Sequence, residues 1–295
     1  MLLLTPEKFD DYELIDCGDF LKLERFGKYI TIRPEPQALW KPALLKKDWE
    51  KMAHVRFVPT TSSSGNWEKL KESPDRWNIE YRLPLHNNKK TNEAMRFRLA
   101  LTAFKHVGIF PEQAVNWDYI AESVQKMKTE KPRVLNLFAY TGGASLAARA
   151  AGADVVHLDS IKQVVTWANA NMELSGLTDI RWIVEDAMAF VKKEVKRGKK
   201  YQGIILDPPA YGHGTDGQKW KLEEMISEMM KNVFDLLDEK ERFLILNTYS
   251  LGFSSLIVEN LLGKQKNLQT GELYLQSRYG IKLPLGVFGR FCSVE

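Results

Sequence analysis

The sequence predicts an α/β protein preceded by a small β-rich module, and three observations carry that reading. A short apolar run at residues 134–138 leads through Thr141-Gly142-Gly143 into a stretch of helix formers at 144–151, the order of strand, tight turn and helix. Further apolar runs at 155–159, 180–184 and 203–206 each lead into a carboxylate: Asp159, Glu185-Asp186 and Asp207. The chain before about residue 90 lacks this alternation.

In the N-terminal module, residues 20–25 alternate apolar and polar, 26–28 form a plausible turn, and 29–33 are β-branched. Together they predict a hairpin closed by Pro34-Glu35-Pro36. Residues 55–58 and 77–82 are further strand candidates, with a loop by composition at 60–66. Trp40, Trp49, Trp67, Trp77 and Tyr81 could stack on unpaired bases or serve as bulk for a small core. A polar stretch at 84–92, containing Asn87-Asn88-Lys89-Lys90, divides a module at 1–92 from a domain at 93–295. Residues 93–105 fit either a helix or a continued hairpin.

In the second domain, 160–175 reads as a helix with Ile161, Val164, Val165 and Ala168 on one apolar face and Gly176 as its stop. The basic run at 192–200 reads as a solvated helix end, at the edge of the sheet opposite the carboxylates. Tyr211-Gly212-His213-Gly214-Thr215-Asp216-Gly217 predicts a mobile loop over the crevice, a candidate lid. Helices at 222–237 and 254–262, a fifth buried strand at 242–250 and a closing strand pair at 271–278 and 287–294 complete the pattern.

Net charge is +4, but residues 41–105 hold fourteen Lys/Arg against seven Asp/Glu. A basic segment beside a near-neutral domain suits an anionic partner such as RNA, or is simply a solvated surface. Cys17 and Cys292 are the two cysteines, too few for a disulfide framework, and no metal-ligand spacing exists. A reduced, cytoplasmic compartment fits. Met1-Leu2-Leu3-Leu4 has no basic lead and stops at Thr5-Pro6, which argues against a signal peptide and a membrane anchor. The sequence sets no oligomeric state.

Strand, glycine turn and helix bring backbone N–H groups to one point, suited to a nucleotide-like ligand. Asp159 lies seventeen residues past Gly142. It can accept from ribose hydroxyls there, or cap the next helix.

Asn136-Leu137-Phe138-Ala139-Tyr140-Thr141-Gly142-Gly143 and Asp207-Pro208-Pro209 together resemble the class I S-adenosylmethionine-dependent methyltransferases, in the branch that modifies ribosomal RNA. The resemblance implies a seven-stranded Rossmann-like sheet with helices on both faces. It implies S-adenosylmethionine as cofactor, held by Asn136, Phe138, Tyr140, Thr141, Gly142, Asp159, Asp186 and Ala187. Gly108-Ile109-Phe110-Pro111-Glu112-Gln113 is similar to the lead-in of the same branch, which would place Phe110 and Gln113 at the cofactor; packing alone would also account for Phe110.

At the reacting end the resemblance implies Asp207 and Pro208, with Tyr211 one position later than the aromatic of amine-methylating relatives. Carbon-5 methylation of cytosine needs a cysteine nucleophile. Relatives that perform it carry Thr-Cys-Ser after strand five, whereas this chain has Thr248-Tyr249-Ser250. The expectation is therefore methylation of a ring nitrogen, such as guanine N7, in a 23S-type ribosomal RNA, with Tyr249 offering a ring or hydroxyl to the base. A nicotinamide oxidoreductase would want Gly-x-Gly-x-x-Gly, which is lacking. An RNA-binding protein with an inactive core and a small-molecule methyltransferase are the other readings weighed.

Overall fold

The computed structural model describes residues 1–61, 64–85, 94–214, 217–249 and 252–294. In chain order, β1 (Leu2–Leu4) precedes the strands of the N-terminal module: β2 (Tyr12–Gly18), β3 (Leu21–Phe26), β4 (Tyr29–Pro34), β5 (Val55–Pro59) and β6 (Gly65–Lys69). These five form one sheet in the order β2-β3-β4-β5-β6, with α1 (Lys46–Met52) between β4 and β5. A separate hairpin follows, β7 (Arg76–Arg82) against β8 (Ala94–Ala100), with Asn78 opposite Arg98 and Glu80 opposite Arg96. The open question at residues 93–105 thus resolves as a continued hairpin. Most of the linker expected at 84–92, and the 92/93 boundary with it, lies outside the described residues.

The second part runs from a 3₁₀ turn (Pro111–Gln113) through α2 (Ala114–Lys126), β9 (Arg133–Leu137), α3 (Gly143–Ala150), β10 (Asp154–Asp159) and α4 (Lys162–Leu174) to β11 (Ile180–Val184) and α5 (Ala187–Lys196). It continues with β12 (Gly203–Leu206), β13 (Tyr211–His213), β14 (Lys219–Lys221), α6 (Leu222–Leu236), β15 (Phe243–Thr248), α7 (Ser255–Leu262), β16 (Gln269–Gln276) and β17 (Lys282–Cys292). The central sheet has eight strands in the order β1-β16-β17-β15-β12-β9-β10-β11. The seven expected strands are present. The eighth is Leu2–Leu4, which pairs parallel with β16; an apolar tripeptide gives no period to read, and its strand character comes from the edge it joins.

Strands β9, β10, β11, β12 and β15 are parallel. Alternate side chains enter two cores. Val134, Val155 and Ile205 meet α2, α3 and the N-terminal module on one face. Leu135, Leu137, Val156, Ile204 and Leu206 meet α5, α6 and α7 on the other. Strands buried on both faces read as continuous apolar runs, which is why they were legible. The chain moves outward from β9 to β10 and β11, then returns to β12 on the other side of β9. That reversal opens a crevice at the carboxyl ends of these strands.

Two expectations change, and the alternative left open for the tryptophans resolves to packing. Ile161, expected on the core face of its helix, is 55% exposed because α4 starts one residue later. The 211–217 segment begins as a strand, β13, paired antiparallel with β14 just beyond it, rather than as a plain glycine loop; Thr215 and Asp216 lie outside the described residues. The Trp-rich surface is core: Trp49 is buried, and the indole N–H groups of Trp40, Trp67 and Trp77 donate to the carbonyls of Cys17, Thr102 and Phe26. Among the described residues no helix is long and apolar enough to cross a membrane.

Candidate active site at the carboxyl ends of the strands

The loop after β9 is held in a strained, defined shape. Phe138, Tyr140 and Gly142 all have left-handed φ, at 56°, 48° and 95°, a cost that persists only where surroundings over-determine the backbone. Here the Tyr140 N–H donates to Asp159 Oδ2 at 3.0 Å, and the Thr141 hydroxyl donates to the Gly108 carbonyl at 2.7 Å. Beneath the loop, Asn136 Nδ2 donates to Ser145 Oγ at 2.9 Å, and Ser145 Oγ lies 2.9 Å from His157 Nδ1. Gly143 admits no side chain, because a Cβ would meet the Trp117 ring at 2.7 Å.

Above the loop lies a cavity of about 820 Å³, within the range of small-molecule sites. Eleven of the fourteen residues singled out from the sequence line it. Phe110, Gln113, Phe138 and Tyr140 form one wall, with Asp159, Asp186 and Ala187 along the strand ends. Asp207, Pro208, Tyr211 and Tyr249 stand at the other end. Asn136, Thr141 and Gly142 do not reach this cavity. They line a smaller adjoining hollow that shares Phe110, Phe138, Tyr140 and Asp207 with the main cavity, and Asn136 and Thr141 are buried and hydrogen-bonded there.

Asp159 Oδ1 accepts from the Ile161 N–H at 3.0 Å while Oδ2 holds Tyr140. The Ser160 N–H is a third backbone donor to this carboxylate; with about four acceptor sites on a carboxylate, about one remains for a hydroxyl donor on the cavity side. Burial pushes the Asp159 carboxyl above its ordinary range, and those backbone N–H groups pull the other way. Asp186 caps α5 through the Ala189 N–H at 2.8 Å. The cations of the 192–200 run are absent from the cavity wall, as expected of a helix end on the far edge. An aromatic wall with carboxylates and no cation at the strand ends fits adenosine and a sulfonium better than a pyrophosphate.

At the other end, Asn247 Nδ2 donates to Asp207 Oδ1 at 2.7 Å, and burial pushes the Asp207 carboxyl up to about 6. The Tyr249 ring is 40% exposed, but its hydroxyl donates to Glu35 Oε1 at 2.8 Å. That hydroxyl is therefore engaged with the N-terminal module, while Tyr249, whose ring was the other group expected to meet a base, lines the cavity. Tyr211 is half exposed at the rim.

Several wall residues escaped the sequence reading. Lys22, Arg33 and Glu35 come from β3, β4 and the residue after it, and Lys105, His106 and Glu112 from the approach to α2. Lys22 pairs with Glu35 at 3.3 Å, and Arg33 with Glu24 at 2.7 Å. Burial, then the Arg33, Lys105 and Lys22 charges, push His106 down to about 3, so it is neutral. Trp220 packs on Phe138 at 4.9 Å and donates to the Pro209 carbonyl at 2.7 Å, tying the first loop to the Asp-Pro-Pro turn.

Residues 71–259 match the S-adenosylmethionine-dependent methyltransferase family. The chain belongs to that family. A solved S-adenosylmethionine-dependent methyltransferase from Agrobacterium tumefaciens is 35% identical, with a TM-score of 0.88 over 99% of this chain and 93% of that one. A methyltransferase structure from Streptococcus mutans, 16% identical, shares the fold with a TM-score of 0.69 over 96% of this chain and 76% of that one. A curated relative from Shewanella frigidimarina, named ribosomal RNA large subunit methyltransferase K/L, is 29% identical over 156 residues, 52% of this chain and 21% of that protein. The chain thus spans only about a fifth of that relative's length.

Glu112 adds a pH-dependent liability to the methyltransferase cavity. Burial pushes its carboxyl up to about 7 from 4.5, with Lys22 pulling down and Asp207 pushing up. The folded state therefore holds a proton that the unfolded chain releases at lower pH, and stability falls as pH rises from about 4.5 to about 7. Glu112→Gln is expected to remove that loss and to be more stable than the parent above pH 7 by on the order of 3 kcal/mol. Denaturant melts of both proteins at pH 4.5 and 8 measure it; parallel pH profiles would show that Glu112 ionises freely.

Proposed function

We propose that the protein methylates a base of ribosomal RNA, of the large-subunit 23S type, at a ring nitrogen rather than at carbon 5 of cytosine. The observation that carries the choice of atom is the cavity wall around Asp207. Among the described residues no cysteine lines it. Cys17 and Cys292 are buried in β2 and β17, and burial pushes the Cys17 thiol up to about 11. Tyr249 stands where a cysteine nucleophile would be expected, and Ser250 lies outside the described residues. Without a thiolate to add to the ring, cytosine C5 is not made nucleophilic, whereas a ring nitrogen has its own lone pair.

The family's donor is S-adenosylmethionine, which supplies an activated methyl group when bound. Asp159 would hold the ribose, Phe110, Phe138 and Ala187 would flank the adenosine, and Asp207 would hold the base by an amine or imide N–H. The RNA assignment is supported by the basic 41–105 segment and by the printed name of the Shewanella relative, and it fits a cytoplasmic setting. Purified protein, labelled S-adenosylmethionine and deproteinised ribosomal RNA, followed by nucleoside mass spectrometry, are expected to give a ring-N-methylated base. A 5-methylcytidine product, or no label in RNA, would reject the reading.

A further inference from the structure

The hairpin β7–β8 carries a charged face that the cavity does not use. Its buried side holds Ile79, Tyr81, Met95, Phe97 and Leu99. Its outer side presents Arg76, Arg82, Arg96 and Arg98 around a single acid, Glu80. Arg82 and Arg96 share Glu80, at 2.9 and 3.1 Å. Arg76 and Arg98 are exposed, with no ion pair among the described residues. Among the described residues, four guanidiniums against one carboxylate, on a strand pair about 20 Å long, leave this face with an excess of positive charge.

β8 runs directly into the cavity rim. The segment after it reads Leu101-Thr102-Ala103-Phe104-Lys105-His106; Lys105 and His106 line the cavity, while Phe104 is 56% exposed. The position of this aromatic is fixed by its backbone. The Thr102 carbonyl accepts from Trp67 Nε1 at 2.8 Å, the Ala103 carbonyl from the Gly65 N–H at 2.9 Å, and the Lys105 carbonyl from Arg33 Nη1 at 3.1 Å. The Phe104 N–H donates to Thr102 Oγ1 at 3.2 Å. Inside the rim, His106 lies 5.1 Å from Phe110, and Phe110 lies 5.3 Å from Tyr140. Phe104 is exposed two residues before His106, from which ring contacts run through Phe110 to Tyr140 inside the cavity, and the arginine-bearing strand β8 leads into this segment.

We propose that this face is the RNA track of the enzyme: the outer arginines of β7–β8 take backbone phosphates, and Phe104 stacks on the unpaired base next to the nucleotide that enters the cavity. This rests on the ribosomal RNA reading above and adds the surface that engages the strand. A rigidly held aromatic beside cations is what sequence-tolerant single-strand binding needs, since every base has a π-face and every nucleotide a phosphate. Holding the loop in advance lowers the ordering cost of binding.

The test uses the full chain, deproteinised ribosomal RNA and S-adenosylhomocysteine, with RNA affinity measured across salt concentrations. Phe104→Ala is expected to weaken binding on the order of tenfold to a hundredfold. The pair Arg76→Ala/Arg98→Ala is expected to flatten the dependence of log affinity on log salt by roughly 0.7 for each arginine. Lys196→Ala/Lys199→Ala, on the far edge of the sheet, should leave both quantities unchanged. Binding of S-adenosylhomocysteine, which none of these residues touches, controls for folding. Should the parent protein bind and methylate RNA while the track variants match it, or match the far-edge pair, the track is wrong and the function reading stands. If the parent neither binds nor methylates RNA, both fall.

Discussion

Replacing Asp159 with alanine is expected to weaken binding of S-adenosylhomocysteine about a hundredfold. Two contributions reinforce each other. The carboxylate has about one acceptor site left after holding the Tyr140, Ile161 and Ser160 N–H groups, and a hydrogen bond to a charged group contributes about 1.5–3 kcal/mol. One ribose hydroxyl held there accounts for roughly tenfold to a hundredfold in affinity. The second contribution is indirect: Tyr140 has φ 48°, and the hydrogen bond to Asp159 is part of what keeps it there. Asp159→Asn is expected to be nearly as damaging, since its amide must turn an N–H₂ toward a backbone N–H or toward a ribose hydroxyl. Calorimetry on the purified variants reads this directly. Affinity within threefold of the parent for the alanine variant would remove Asp159 from the cofactor site.

The α/β architecture was legible because its strands are covered on both faces and therefore apolar throughout. Strand-end carboxylates were legible because a strand's last residue fixes a place in space. Asn136 shows the limit of this: a motif position assigns a residue to the loop, but its bond to Ser145 joins a strand to a helix nine residues on, which no period registers. The contribution of the N-terminal module was hidden for a different reason. Lys22 and Glu24 alternate with apolar residues as solvent-facing residues do, yet both are buried together with Arg33. Charges can be buried when they are paired, and that pairing, Arg33 with Glu24 and Lys22 with Glu35, spans turns that periodicity does not register. Tyr249 shows the same limit, since the partner of its hydroxyl, Glu35, is 214 residues away in the chain.

Asp207→Ala is expected to lower kcat for RNA methylation by a hundredfold or more while leaving the affinity for S-adenosylhomocysteine unchanged. Methyl transfer depends mainly on alignment of the accepting atom, and a base held by one charged acceptor loses that alignment when the acceptor goes. Asn247 Nδ2 fixes Asp207 Oδ1 at 2.7 Å, which leaves the second oxygen to accept an N–H from the base. The pH dependence separates this role from a merely structural one. Burial raises the carboxyl to about 6, so below that pH it is protonated and the charged acceptor is lost. The rate should therefore climb as pH rises through about 6 and level off above it. Asp207→Asn keeps the shape without the titrating group, so its lower rate should not show that climb. A parent profile flat from pH 5 to 8, or an Asp207→Asn enzyme that keeps the same rise, would show that another group governs the reaction and that Asp207 only supports the turn formed by Pro208 and Pro209.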